Sequence, residues 1–495
     1  MLTTVRRWTR DLIFKFPDGL ARLGIVDREK GEEAFDLAVP AMVTGGMRTI
    51  LRFADFFMVS LAVGEVGVAA LEFGFQYYFV AFGLALALTS GTISVVSRFK
   101  GAGEDARADL AIKQSLWLSL AISIPLAAVS WVYAEPLIDV LTNDPETIAK
   151  GAIYLQIVML AAAPRFWSMT AARALAGAGD TRTPMYVRLV TLPTNVALNA
   201  VLIFGLFGFP ELGVAGAAWG TAIANTLAAA IFFGIFLSGR WAVGLRVRGT
   251  QFDASILKEL VRVATPLAGT RLAQTFSRFP FLFVLGALGT PVVAAYAIGR
   301  RVILLAMMPA WGYSTASSTL VGQAIGAGED REATEYGWQT LRIALATQML
   351  IAVVLVALAR PITLAFGAES VGLTVDFIRM FGLSVAGFSV SRVMRGGLRG
   401  AGDTRWPLYG TFTGTVVVRL PIAFVALPAG VVSLTVAGYT LDPGLGLGVG
   451  AVFAAILADM YVRAGVNLFR FRSGEWQRVA RESGVGADAD PDAAD

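Results

Sequence analysis

The sequence predicts an all-α integral membrane protein of about twelve transmembrane helices. They form two parallel-repeat six-helix bundles related by a pseudo-two-fold along the membrane normal. Three observations predict it: apolar stretches of spanning length recur along nearly the whole chain, basic residues gather on alternate loops, and two glycine-rich motifs each occur twice at almost one offset.

Of the 495 residues 56% are hydrophobic and 16% charged, and the mean hydropathy is +0.65. A soluble chain of this length could not keep so much apolar surface from water. The apolar stretches run roughly 20 residues or more, enough to cross a hydrocarbon core of ~30 Å. The predicted spans are 36–61, 67–97, 109–133, 148–172, 183–207, 213–238, 257–288, 292–322, 337–358, 370–396, 406–430 and 447–470.

If Met1 lies inside, the cytoplasmic side receives Arg6, Arg7, Arg10, Lys15, Arg98, Lys100, Arg173, Arg182, Arg240, Arg246, Arg248, Arg331, Arg399 and Arg405. The opposite loops hold Lys150 and Arg360 against Glu135, Asp139, Asp144 and Glu146. This positive-inside pattern places both termini in the cytoplasm, requires an even number of spans and suits a multi-pass protein of the cell membrane. So placed, the net charge of +5 points to a bilayer, not to nucleic acid. The chain has no cysteine and no histidine, which removes disulfides, thiolate metal sites and the commonest general base. Residues 1–35 lack a signal-peptide core and read as a cytoplasmic or interfacial segment. The acidic, small-residue tail 473–495 is expected to be disordered.

The duplication is explicit. Leu175-Ala-Gly-Ala-Gly-Asp-Thr-Arg-Thr-Pro-Met-Tyr186 recurs as Leu398-Arg-Gly-Ala-Gly-Asp-Thr-Arg-Trp-Pro-Leu-Tyr409, and Gly101-Ala-Gly-Glu-Asp105 recurs as Gly326-Ala-Gly-Glu-Asp330, at offsets of 223 and 225. About six spans fill that offset, so both copies keep one membrane orientation. The expected organisation is an amino lobe at 36–238, a basic linker at 239–256 and a carboxy lobe at 257–472. In the loops, glycine permits the turn, Asp180 and Asp403 are placed to cap the next helix, and Pro184 and Pro407 suit its first turn. A hairpin role is favoured for them over a direct part in transport.

Beyond the repeat, Gly177-Ala-Gly-Asp-Thr-Arg-Thr-Pro-Met185 is followed by Asn195-x-x-x-Asn199-x-x-x-Ile203-Phe-Gly205 and by Gly213-Val-Ala-Gly-Ala-Ala-Trp-Gly-Thr221. With Arg52-Phe-Ala-Asp55-Phe-Phe-Met-Val59, these segments resemble the multidrug and toxic compound extrusion (MATE) family. The resemblance implies a twelve-helix, two-lobe exporter of small organic molecules coupled to sodium or protons. It puts the family's first-helix acid on Asp55 and its fifth-helix amide on Asn195. Asn199 stands where one branch carries a second acid. The acids that another branch has in the seventh and tenth helices find no counterpart: the repeat partner of Asp55 falls near Pro280, and the tenth helix has only Asp376 near its outer end.

An ionisable side chain within a bilayer costs a few kcal/mol and is a functional candidate by default. Asn195 and Asn199 are four residues apart and share a helix face. With Asp55 and Thr221 they form a candidate cation-coupling site, in which the carboxylate ligates sodium with the amide oxygens or holds a proton. The competing reading pairs Asp55 permanently with Arg52. Arg48, Arg52, Arg165, Arg188, Arg271, Arg278, Arg392 and Arg419 all fall near membrane depth. Arg188 and Arg392 are expected to snorkel to the cytoplasmic interface. Arg52, Arg278 and Arg419, with Tyr77, are expected to line a wet substrate cavity, which favours an anionic or zwitterionic cargo. Phe75, Tyr78, Phe166 and Trp167 read first as packing or interface anchors.

No lysine follows a glycine, so a Walker A loop and a primary pump are excluded. Without histidine or cysteine an intramembrane enzyme has few tools. The expectation is a monomeric, non-enzymatic secondary transporter working by alternating access, with no cofactor beyond Na+ or H+ as coupling ion and no metal beyond that sodium. The rival reading is a flippase for lipid-linked saccharides or other anionic amphiphiles.

Overall fold

The computed structural model describes residues 15–482 apart from 240, 242, 245–248, 433, 437 and 438, without the side chains of 50, 52, 53, 55, 56, 65, 68, 80 and 433–441. Every predicted span is helical. Helix α1 (Arg28–Gly101) covers the first two spans and breaks at Gly64, whose φ of 69° and ψ of −154° are open essentially to glycine alone. There follow α2 (Asp105–Val132), α3 (Ala134–Asp139), α4 (Pro145–Leu160), α5 (Ala162–Gly177), α6 (Arg182–Phe204) and α7 (Gly213–Leu237). The later part holds α8 (Ala254–Phe276), α9 (Arg278–Ala287), α10 (Thr290–Ala306), α11 (Met308–Gly326), α12 (Asp330–Ala357), α13 (Ala359–Ala365) and α14 (Val371–Gly400). It continues through α15 (Arg405–Phe412), a π-helical stretch (Thr413–Arg419), α16 (Leu420–Phe424), α17 (Gly448–Arg472) and α18 (Glu475–Arg481). A short antiparallel hairpin, Leu434–Val436 with Tyr439–Leu441, lies between α16 and α17.

Among the described residues seven helices are long and apolar enough to cross a membrane, and nine when two bent pairs each count as one span. The three remaining predicted spans fall short for visible reasons. Arg48, Arg52 and Asp55 interrupt 36–61, Lys258, Glu259, Arg262 and Arg271 interrupt 257–288, and the π-helical stretch divides 406–430.

The chain divides into two compact units, Pro40–Ala268 and a second made of Gly269–Asp495 with the residues up to Val39. The units part from the boundaries read in the sequence at two places, and hydrogen bonds explain both. Linker groups are held on α2: Gly244 N donates to Asp109 Oδ1 at 2.9 Å, Lys113 Nζ to Thr250 O at 3.1 Å and Gln114 Nε2 to Asp253 O at 3.0 Å. The start of α1 is held on α12 through Lys30–Glu335, through Tyr336 Oη donating to Glu33 at 2.5 Å and through Asp27 N donating to Gln339 at 2.9 Å. Each unit has its own core, one around Val59, Leu155 and Phe166, the other around Phe281, Phe377 and Val452.

The duplication in sequence is also one of contacts. Gly179 and Gly402 adopt φ of +91° and +83°, and Gly103 and Gly328 adopt +73° and +78°. In each turn the amide after the glycine reaches back five residues: Asp180 N to Leu175 O at 2.9 Å, Asp403 N to Leu398 O at 2.8 Å, Glu104 N to Phe99 O and Glu329 N to Ala324 O at 2.9 Å. Asp180 then caps α6 through Thr183 N at 2.9 Å, and Asp403 accepts from Trp406 N at the corresponding place. Upstream, a Cβ on Gly177 would stand 2.9 Å from Ile93 O, and one on the matching Gly400 would stand 2.4 Å from Ser318 O. Backbone blocks the way at both, so α5 and α14 can approach their neighbours only as glycine.

Gly400→Ala is therefore expected to cost about 1–3 kcal/mol by overpacking, measured as a lower unfolding midpoint of the detergent-solubilised protein. Gly45→Ala, where nothing lies within 4 Å of the new methyl, should leave that midpoint unchanged or raise it.

Candidate functional site

Helices α6 and α7 cross closely because Gly216-Ala-Ala-Trp-Gly220 presents two glycines at one face. A Cβ on Gly216 would stand 2.5 Å from the Leu202 carbonyl, and one on Gly220 would stand 1.9 Å from Asn199 Oδ1. Gly220 is thus the space the Asn199 amide occupies. Asn199 is fully buried. Its Nδ2 donates to Asn195 Oδ1 at 3.2 Å, and Asn195 Nδ2 donates to Thr221 Oγ1 at 3.4 Å. The structure thereby joins three of the four residues predicted for cation coupling. The fourth, Asp55, lies on α1, and its side chain, like that of Arg52, is outside the described residues.

This amide chain opens on a cavity of about 110 Å³ inside the Pro40–Ala268 unit. Its polar lining is Arg48 from α1, Arg165 from α5, Arg188, Thr191 and Asn195 from α6, and Thr221 and Asn225 from α7. Phe75, Tyr78, Phe82 and Tyr154 supply aromatic wall. Arg165 donates through Nη1 to Asn225 Oδ1 at 2.9 Å and lies 5.7 Å from the centre of the Phe82 ring. Arg188 is only 4% exposed. It does not snorkel to the interface as expected, because it shares the inward face of α6 with Thr191, Asn195 and Asn199 at helical spacing. The described lining thus carries three guanidinium groups and no carboxylate.

Of the residues predicted for a substrate cavity, Tyr77, Arg278 and Arg419 do not line this pocket, and the side chain of Arg52 lies outside the described residues. Tyr77 donates its hydroxyl to Leu137 O at 2.5 Å, and its neighbour Tyr78 faces the cavity instead, since consecutive side chains point about 100° apart on a helix. Arg278 is exposed at the start of α9. Arg419 is committed to packing: it donates to Ser277 Oγ at 3.0 Å, pairs with Asp459 at 3.3 Å and lies 4.8 Å from the Phe281 ring centre. Arg392, also expected at the interface, stacks against Phe388 and Trp311 at 5.0 and 5.8 Å.

The sequence reading passed over two buried acids. Asp459 on α17 is fully buried and pairs with Arg463 and Arg419. Glu259, at the head of α8, is 6% exposed between Arg98 at 2.7 Å and Arg262 at 2.7 Å. Their signal was the arginine four residues beyond Asp459 and three beyond Glu259, the spacing of a helical ion pair.

A MatE family model matches residues 40–201 and 266–425. The chain belongs to the MatE family. The two matched blocks are the two copies of the repeat, and the family consists of membrane transporters, not enzymes. Among curated MATE relatives, the probable multidrug resistance protein NorM of Thermotoga maritima is 28% identical over 461 residues, covering 91% of this chain and 94% of that one. Its namesake from Bradyrhizobium diazoefficiens is 27% identical over 451 residues, covering 89% and 92%. A solved MOP superfamily transporter from Pyrococcus furiosus, reported with a binding pocket of reverse polarity, shares the fold at a TM-score of 0.80 and 21% identity, covering 91% of this chain and 96% of that one.

Within this MATE site Asn195 is the link between the other two groups. Asn195→Ala removes the acceptor of Asn199 and the donor to Thr221, and is expected to cost about 1–3 kcal/mol because a buried amide loses its partner. Chemical denaturation of the purified protein measures it, and Thr221→Val, which removes only the end of the chain, should cost less.

Proposed function

We propose that this MATE protein is a secondary active exporter of small organic molecules, working by alternating access and driven by a sodium or proton gradient. The names of its NorM relatives support a part in multidrug resistance. The positive-inside distribution of lysine and arginine supports placement in the plasma membrane with both termini cytoplasmic, and a single chain is a sufficient unit because each repeat has its own core.

The observation that carries the coupling assignment is the buried chain Asn199–Asn195–Thr221 at a cavity that α1, the helix of Asp55, also lines. Amide and hydroxyl oxygens are hard ligands suited to sodium, but they keep one charge state at every pH. Asp55 is the member that can release a proton or a cation, so it is the one able to link the driving ion to the cargo.

Asp55→Asn is expected to abolish gradient-driven transport of ethidium and of radiolabelled benzoate in reconstituted vesicles, while the protein still folds. Arg52→Gln should retain most of that transport. Near-normal rates in Asp55→Asn would remove the carboxylate from the mechanism. Loss in Arg52→Gln with survival in Asp55→Asn would turn the pair into a structural contact.

A further inference from the structure

We infer that the cavity of the Pro40–Ala268 unit is an organic-anion site that takes the carboxylate of a small aromatic acid. The inference rests on the export reading for the movement of that ligand, and on the cavity alone for its binding.

Among the described residues, three buried donor groups in this cavity have no acceptor. Arg188 is 4% exposed and makes no ion pair or hydrogen bond with any described residue. The Nε of Arg165 and the Oγ1 of Thr191 are buried without a hydrogen-bond partner. Buried polar atoms are almost always satisfied, and an isolated buried charge is among the costliest exceptions. Three other buried arginines each meet a carboxylate: Arg98 has Glu259, Arg419 has Asp459 and Arg470 has Asp403. The orphaned groups of the cavity come together from two adjacent helices, α5 and α6, and Arg48 adds a further positive charge from α1.

The chemistry of the missing acceptor follows. Guanidinium groups present a planar fork that a carboxylate matches with two oxygens. Asn225 holds Arg165 by Nη1 at 2.9 Å and so fixes the direction of its remaining donors. Phe75, Tyr78, Phe82 and Tyr154 form the rest of the wall, which suits a ring stacked or edge-packed beside the charged head. A volume of about 110 Å³ lies well below the ~300–1,000 Å³ of drug-sized sites, so a single-ring acid fits and an amphiphile does not. Where Arg165 and Arg188 line the cavity, their guanidinium groups favour an anion over an organic cation of the same size.

Isothermal titration calorimetry of the full-length, detergent-purified protein with benzoate, benzylammonium and inorganic phosphate tests this. Benzoate should bind and benzylammonium should not. Arg188→Gln should weaken benzoate at least about tenfold, as loss of a charge-assisted hydrogen bond does, and Arg188→Lys should recover part of it. Asn225→Asp keeps every arginine, places a carboxylate beside Arg165, and should weaken benzoate by about tenfold too. It decides the matter if Arg188→Gln does not fold. Benzylammonium binding as well as benzoate, phosphate binding alone, or unchanged benzoate affinity in Asn225→Asp would each overturn the site. Gradient-driven ethidium export without benzoate binding would overturn the site and leave the exporter. Benzoate binding in a protein that no gradient drives would do the reverse.

Discussion

Backbone-on-backbone contact at glycine is the constraint on which the rest of the structure depends. In a bilayer each helix satisfies its own peptide groups and gains little from burying apolar side chains, so association relies on close packing. Gly177 against Ile93, Gly216 against Leu202, Gly396 against Ser314 and Gly400 against Ser318 leave no room for a Cβ. These contacts fix the crossing of neighbouring helices and so the register of every polar group along them. At Gly220 the same constraint becomes functional, because the vacated space receives the amide of Asn199 instead of another backbone.

Charge is the second organising term, and it is handled in two ways. At the ends of helices the buried arginines are neutralised: Arg98 and Arg262 by Glu259, and Arg470 by Asp403 at 2.6 Å. Removing one partner of such a pair strands the other, at a cost of about 3–5 kcal/mol, so these contacts hold the termini of α1, α8 and α17 in place. Burial pushes the Asp403 carboxyl up while Arg470 pulls it down, which shows how far desolvation offsets the pair. In the cavity, Arg165 and Arg188 meet no carboxylate among the described residues. A buried guanidinium such as Arg188, with no partner among the described residues, fits a ligand better than it fits stability.

The two copies of the repeat keep the same turns and glycine contacts but differ in their polar interiors. In the first unit the amides Asn195, Asn199 and Asn225 stand beside arginines without an acid among the described lining residues. In the second, Asp459 occupies Arg419 and Arg463 next to the π-helical stretch, where Gly414 is packed against it. Duplication preserved what packing required and left the chemistry of each interior to diverge.

The sequence alone determined the membrane-embedded helical class, the duplication, the glycine turns and the shared face of Asn195 and Asn199. All of these follow from composition and from periods of a few residues, which local geometry enforces. Tertiary structure decided which arginines meet the cavity: Arg165 and Arg188, not Arg278 and Arg419, and Tyr78, not Tyr77. Helical periodicity states which residues share a face but not which neighbour that face will meet. That depends on how deeply and at what rotation two helices cross, which the glycines set. The pairings of Asp459 with Arg419 and of Glu259 with Arg98 were hidden for the same reason, since those partners lie 40 and 161 positions apart in the chain.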